Sequence, residues 1–573
     1  MKKLVLSLSL VASFVFAQEK PSAEELAKQN WYHVNYAKDN VYGVATEDAY
    51  AYAQSKGLKS TPIIVAVIDS GIEGDHPDLQ ANMWTNPKEI PGNGIDDDGN
   101  GYIDDIHGWN FIGGPNGDVE HDNTEITRLV REYKALFDSK DEAANKANQK
   151  KFPKKYAEYQ KILPKYKEEY ALAQMNLMQI EEEIKQITGI IENFGKEYGE
   201  DKIISLEGLK AFTPKSDATK FLKAQIIKSI EASGRSEYAG KTPKDLINEI
   251  KNEASDALNY YKGKADYYLN LEYDPRSIVG DNYNDVNERI YGNNTTEGPD
   301  ALHGTHVAGI IGAVRNNGIG MNGVAENVKI MNVRTVPDGD ERDKDVANAI
   351  RYAVDNGAKV INMSFGKAYS PDKQAVWDAI KYATDHNVLL VKAAGNDNAN
   401  IDKDIHYPTN FRNGHPVSNS LLTVGASTPS NQSIKASFSN FGKQQVDIFA
   451  PGVEIYSTVP DAKYKYLQGT SMASPVVAGV AALVWSYFPQ LSAKDIRDIL
   501  IATGNYNKDL SQISTHGVVV DALKALKKAE EITLNPEART SLQSQLTKKV
   551  ETKVAKPKAK KASKKTKSKK RRK

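Results

Sequence analysis

Ile63-Ile64-Val65-Ala66-Val67-Ile68-Asp69-Ser70-Gly71 is the stretch that decides the fold. Its first six residues are apolar and mostly β-branched, with no polar face to offer water. Such a run reads as a strand buried on both sides in a parallel sheet. Asp69 closes it, and a charge at the C-terminal end of a buried parallel strand stands where open α/β sheets bind ligands. Taken alone, an aspartate here is equally a turn former or a helix cap.

Further along, Gly469-Thr470-Ser471-Met472-Ala473-Ser474-Pro475 precedes an apolar, helix-forming stretch from Val476 to Trp485. A serine hydroxyl is a weak nucleophile until a base takes its proton and a third group holds that base. A strand-to-helix turn lifts Ser471 out of the core, and its small neighbours let a substrate backbone come close. The matching base is His303, in His303-Gly304-Thr305-His306-Val307-Ala308-Gly309, with Ile310-Ile311-Gly312 continuing an apolar helical face. A fourth element, Ala393-Ala394-Gly395-Asn396, follows the strand-like Val388-Leu389-Leu390-Val391. The Asn396 amide can donate to an oxyanion, an interaction worth roughly 2.7–4 kcal/mol of barrier.

Together with Ser364-Phe365-Gly366, these segments resemble the subtilisin-like serine proteases, the subtilases. Their order, aspartate then histidine then serine, is the subtilisin order. The resemblance covers roughly residues 60–125 and 276–530. It implies an α/β core with a mainly parallel sheet, helices on both faces and the site at the strand C-termini. It also implies roles: Ser471 as nucleophile, His303 as general base and acid, and Asp69 as the group that orients the imidazole. Asn396 and the Ser471 backbone N–H become the oxyanion donors. Ser364, Phe365 and Gly366 become an edge that pairs with an extended peptide, with Ala394 and Gly395 on the opposite wall. Residues 397–407 are expected to line the same region. His306 lies one helical turn from His303, which leaves a metal pair conceivable, but no third ligand is apparent and the chain has no cysteine. A structural histidine is the competing reading.

The 573 residues exceed a single ordinary domain. With no cysteine, neither a disulfide framework nor a thiol nucleophile is available. Lys2-Lys3 followed by the apolar run Leu4 to Ala17 reads as a signal peptide over 1–17, an uncleaved anchor being the alternative. That implies export to a secreted, periplasmic or cell-surface address. No later run reaches 18 consecutive apolar residues, so no transmembrane helix is expected in the mature chain. Residues 18–60 form an N-terminal extension with a helix from Thr46 to Ser55, shorter than the separate folding propeptide of many relatives. The net charge of +1 hides an asymmetry, because Lys548 to Lys573 carries 15 Lys or Arg against one Glu. This tail, within a linker and tail at 531–573, is too self-repelling to fold. Contact with an anionic surface is its functional reading; a solvated tail is the plain one.

Asp69 and His303 are separated by 233 residues, Ser70 to Leu302, far more than is usual among subtilases. The peptidase domain, 61–530, is thus interrupted by a helical insertion at 124–276. Within it Tyr170, Ala173, Leu177, Ile180, Ile184, Ile187, Ile191 and Phe194 alternate by three and four, a coiled-coil-like stripe. Its expected partners are Tyr156 to Tyr166, Ala218 to Ile230 or Leu246 to Leu258. Upstream, Asp96-Asp97-Asp98-Gly99-Asn100-Gly101-Tyr102-Ile103-Asp104 opens like an EF-hand loop. Asp96, Asp98, Asn100, the Tyr102 carbonyl and Asp104 are the expected ligands of a structural Ca²⁺. The twelfth position holds His107 rather than glutamate, so a closing ligand must come from elsewhere. A solvated acidic turn is the alternative.

The sum is an exported serine endopeptidase acting on protein or peptide substrates through an acyl-enzyme. A non-catalytic surface-binding protein and a narrow processing protease are its rivals.

Overall fold

The computed structural model describes residues 22–233, 240–535, 537–544 and 546. The Leu4–Ala17 run and the Lys548–Lys573 tail, which carry the export and anionic-surface readings, lie outside the described residues.

Nine strands form the principal sheet: β1 (Ile63–Asp69), β2 (Gly108–Asn110), β3 (Val328–Arg334), β4 (Val360–Met363), β5 (Leu389–Ala393), β6 (Leu421–Ser427), β7 (Ile448–Pro451), β8 (Asn505–Tyr506) and β9 (Val518–Val519). Their spatial order is β8-β9-β7-β6-β5-β4-β1-β3-β2. Every pairing is parallel except β8 with β9. In β1 all residues but Ile64 are buried, as a strand without a polar face requires. Val65 and Val67 enter one hydrophobic core, Ala66 and Ile68 the other.

Helices cover both faces. On the first, α6 (Leu302–Gly312), α9 (Thr470–Tyr487), α10 (Ala493–Thr503) and α11 (Ala522–Leu534) share their core with α1 (Thr46–Ser55). On the second lie α7 (Asp343–Asp355) and α8 (Lys373–Asp385). α10 starts in a capping box, with Ser492 Oγ accepting from the Asp495 N–H and the Asp495 carboxylate from the Ser492 N–H. One described helix, α9, is long and apolar enough to cross a membrane, yet 89% of that window is buried inside the protein. Trp31, Tyr32, Val44, Ala49 and Ala53 belong to the same core as α9. The segment before β1 is therefore woven into the body of the fold.

The strand order explains where a site forms. From β1 the chain reaches β3 on one side and β4 on the other, so β1 is the topological switch point. The carboxyl end of such a strand opens into a crevice. Asp69 is the last residue of β1.

Residues 125–268 are mostly helical: α2 (Glu125–Phe137), α3 (Pro153–Tyr198), α4 (Asp217–Ser233) and α5 (Pro243–Gly263) are its longest pieces. α3 runs for 46 residues and packs on α2, α4 and α5. Tyr156 to Tyr166 continues the same helix, so it is not a partner of the stripe that follows it. Two small cores result. Tyr159, Ile162 and Tyr166 meet Tyr133 and Phe137, while Ile191 and Phe194 meet Leu209, Ile226 and Leu246. Between them Leu177, Ile180 and Ile184 remain half-buried, and the seam is only partly covered.

Ionic contacts fix α2 to the sheet. Lys367 Nζ lies 2.8 Å from Glu125 Oε2 and 2.9 Å from Asp343 Oδ1, all three side chains buried. Arg128 pairs with Glu125 at 2.6 Å, and Arg342 with Asp122 at 2.6 Å. Burial alone would raise the Glu125 carboxyl, but Arg128 and Lys367 hold it far below the usual carboxylate range.

Candidate active site

The cleft at the end of β1 has a volume of about 420 Å³ and contains Asp69, His303, Ser471 and Asn396 together. Asp69 is buried, and its Oδ1 accepts from the Ser70 N–H at 2.8 Å and from His303 Nδ1 at 2.6 Å. His303 is carried on the first turn of α6, which approaches closely because residue 304 is glycine. A Cβ there would sit 2.0 Å from the Gly71 carbonyl oxygen. Burial pulls the His303 pKa down, but the Asp69 charge and hydrogen bond, with Asp300 adding to them, raise it above the ordinary imidazole range. With Nδ1–H committed to Asp69, the Nε2 lone pair is left for a proton acceptor's work.

Ser471 is the second residue of α9, so its backbone N–H is one of the unpaired donors at a helix start. Its Oγ donates to the Ser364 carbonyl at 2.9 Å, and Ser364 Oγ donates back to the Ser471 carbonyl at 2.8 Å. No Ser471–His303 hydrogen bond is formed; the serine rotamer turns Oγ to the Ser364 carbonyl instead. Asn396 is oriented by Thr470, whose N–H and O–H both reach its Oδ1 at 2.9 Å. Two donors on that oxygen fix the amide's sense, and Nδ2 is left free. Thr470 Oγ1 also accepts from the Gly395 N–H at 3.0 Å, binding the two loops together. Sequence reading missed Thr470, although it stands beside Ser471.

Ser364, Phe365 and Gly366 continue from β4 and line the cleft, as does Gly395 beyond the end of β5, whereas Ala394 is buried and does not line it. The edge is pinned beyond Gly366 by reciprocal backbone bonds between Lys367 and Tyr407. A Cβ on Gly366 would fall 2.1 Å from His406 Cε1, so this wall admits no side chain. From the 397–407 segment, Asp397 and His406 line the cleft. His406 is pushed down to about 3 by burial and stays neutral. His306 faces elsewhere: its Nε2 contacts the Lys465 carbonyl at 3.0 Å, and burial pushes its pKa down to about 3.

In the acidic loop, Asp96 and Asp98 come together with Glu89, their carboxylate oxygens lying within 4.8 Å of one another. Asp104 does not join them. Its Oδ1 accepts from the Gly92 and Asn93 N–H groups and its Oδ2 from Gly94, at 2.8–3.2 Å. Asn100 Oδ1 accepts from the Tyr102 N–H, and His107 Nδ1 contacts the Trp84 carbonyl at 2.7 Å. Glu89, seven residues upstream, carries no periodic signal in the sequence. It is buried, and its Oε2 has no hydrogen-bond partner, the state of a carboxylate suited to a cation.

A parallel α/β sheet with a hydrogen-bonded Asp–His couple at its switch point, beside a serine at a helix start, is an arrangement of the kind that nucleophilic serine chemistry requires. The model of the subtilase family matches residues 60–519, and the chain belongs to that family. Subtilisin DY of Bacillus licheniformis is 39% identical over 203 residues, 35% of this chain and 69% of that protein. A cell wall-associated protease of Bacillus subtilis (strain 168) is 38% identical over 234 residues, 41% of this chain but only 24% of that protein. A thermophilic serine proteinase of Bacillus sp. (strain AK1) is 42% identical over 185 residues, 32% of this chain and 42% of that protein.

Proposed function

We propose that the protein is an exported serine endopeptidase that hydrolyses protein or peptide substrates through an acyl-enzyme. The observation that carries this is the convergence of the 2.6 Å Asp69–His303 couple, the helix-start Ser471 and the Thr470-oriented Asn396 on one cleft. In this reading Ser471 Oγ turns from the Ser364 carbonyl to His303 Nε2, which takes its proton as Oγ attacks the scissile carbonyl. Asn396 Nδ2 and the Ser471 N–H stabilise the oxyanion. His303 then protonates the leaving amine and activates the water that releases the acid. The substrate extends along Ser364–Gly366. Export rests on the Lys2-Lys3 and Leu4–Ala17 pattern, and an anionic-surface role for the tail on its 15 basic residues. Residues 124–276 are read as a helical insertion in a peptidase domain spanning 61–530. The test is labelling by a fluorophosphonate and digestion of denatured casein. Absence of both in folded protein sinks the reading.

A pH profile follows from His303. The imidazole must be neutral to act as base, so activity falls as pH drops through its pKa. Because that pKa is raised, the acid limb of kcat/KM lies above the range of a free imidazole. Asp300→Asn removes one of the charges that raise it, and the limb is expected to move to lower pH.

The same reading includes a structural Ca²⁺ held by Glu89, Asp96 and Asp98, where it would neutralise three clustered carboxylates just beyond β1. At about a hundredfold excess over its dissociation constant, calcium is expected to add about 2–3 kcal/mol to stability. The check is thermal unfolding with calcium and with chelator. Glu89→Gln should remove most of the difference, and an equal calcium effect in parent and variant would place the ion elsewhere.

A further inference from the structure

Glu341, immediately before α7, is 3% exposed and yet lines the same cleft as Ser471 and His303. Its Oε1 is buried without a hydrogen-bond partner. The nearby lysines, Lys367 and Lys392, are committed elsewhere. Lys367 Nζ pairs with Glu125 and Asp343 and donates to the Glu341 backbone carbonyl at 2.7 Å, not to its carboxyl. Lys392, fully buried, donates its Nζ to the His406 carbonyl at 3.3 Å. A buried carboxyl oxygen left unpaired costs free energy, and it persists where something else completes it.

The rest of the cleft indicates what that is. Besides Asp69, the carboxylates of Glu120, Asp300, Asp338 and Asp397 line it. The arginine there, Arg334, spends its guanidinium on the carbonyls of Ser70 and Val119 and on Asn110 Oδ1. His406 is neutral and offers no positive charge. Acids outnumber that one arginine in the lining, and a low-dielectric wall of net negative charge concentrates the opposite sign. Lys367, the residue after Gly366, donates to the Glu341 carbonyl at 2.7 Å and so ties Glu341 to the Ser364–Gly366 edge, along which residues before the scissile bond lie if the cleft works as proposed above.

We infer that Glu341 is a specificity residue, which accepts a hydrogen bond from a basic side chain, lysine or arginine, on the amino-terminal side of the cleaved bond. This rests on the endopeptidase reading. Burial pushes the empty carboxyl up to about 8, and a cation docking there pulls it back and expels its proton.

The test uses the full chain with quenched fluorogenic peptides carrying lysine, arginine, glutamine or methionine in turn at each of four positions before the scissile bond. Methionine is the unbranched apolar control. At one position lysine or arginine should raise kcat/KM about 10- to 100-fold over methionine, mainly through KM. Glu341→Gln should collapse that ratio, whereas a merely structural defect would slow both peptides alike. Equal rates for lysine and methionine in the parent at every position overturn the inference without any variant, as does a ratio that survives Glu341→Gln. If fluorophosphonate fails to label Ser471 and no peptide is cut, the endopeptidase reading falls first and this inference with it.

Discussion

Ser471→Ala is expected to lower turnover about 10⁶-fold, the loss known for the equivalent change in subtilisin itself. The reasoning is local. Ser471 starts α9, whose body is buried from Met472 to Ser486, so removing one hydroxyl leaves the helix and its core intact. What goes is the nucleophile, together with its donation to the Ser364 carbonyl. The Asp69–His303 couple and the Asn396 amide remain, so substrate should still bind with little change. The measurement pairs casein hydrolysis with fluorophosphonate labelling, and the variant should fail both while unfolding at the parent's temperature. Residual turnover within a hundredfold of the parent would mean that another group is the nucleophile.

Lys367→Met carries the largest expected cost in stability, about 3–5 kcal/mol, because it takes from buried Asp343 its counter-charge and from buried Glu125 one of two. Both acids are almost wholly enclosed, so water cannot take the lysine's place. Glu125 also pairs with Arg128, which makes the loss a disturbance of a network. Denaturant unfolding of the parent, Lys367→Met and the double variant with Glu125→Gln gives the coupling. The second change should recover part of the loss. A loss below about 1 kcal/mol would show these charges to be relaxed or hydrated. The contact joins α2 to the residue after Gly366, so KM should rise in the single variant as well.

Where a residue's position follows from its place on an element, the sequence made it readable. Asp69 ends an apolar strand, His303 and Ser471 each lie in the first turn of a helix and Asn396 follows a strand, and each boundary is marked by composition. What escaped depends on contacts between distant segments. Glu125 and Lys367 are 242 residues apart, and nothing local in either announces the other. Glu341 reads as one more acid in Asp338-Gly339-Asp340-Glu341, a run that looks solvated until the fold encloses it. The acidic loop was legible as a cluster but not as a ligand set. Asp104 turns to three backbone N–H groups, and Glu89 enters from outside the motif. Helical spacing located α3 and two of its partners, the stretches Ala218 to Ile230 in α4 and Leu246 to Leu258 in α5, but not α2, while Tyr156 to Tyr166 extends the helix instead of doubling back.

The way the amino-terminal segment is built into the body has a consequence for the timing of synthesis. The Trp31 indole N–H reaches the carbonyls of Val453 and Glu454, the Thr61 N–H that of Ser486, and the Ala522 N–H that of Val44. The first of these joins residues 422 apart in the chain. Loops that long close slowly and are stabilised only after both ends exist. A nascent chain therefore holds the Trp31 indole without these partners until residue 454 has been made, and Thr61 and Val44 without theirs until α9 and α11 have been. The ribosome delivers Asp69 early and Ser471 late, and the contacts that hold the amino-terminal segment to the body close only once α11 has been made.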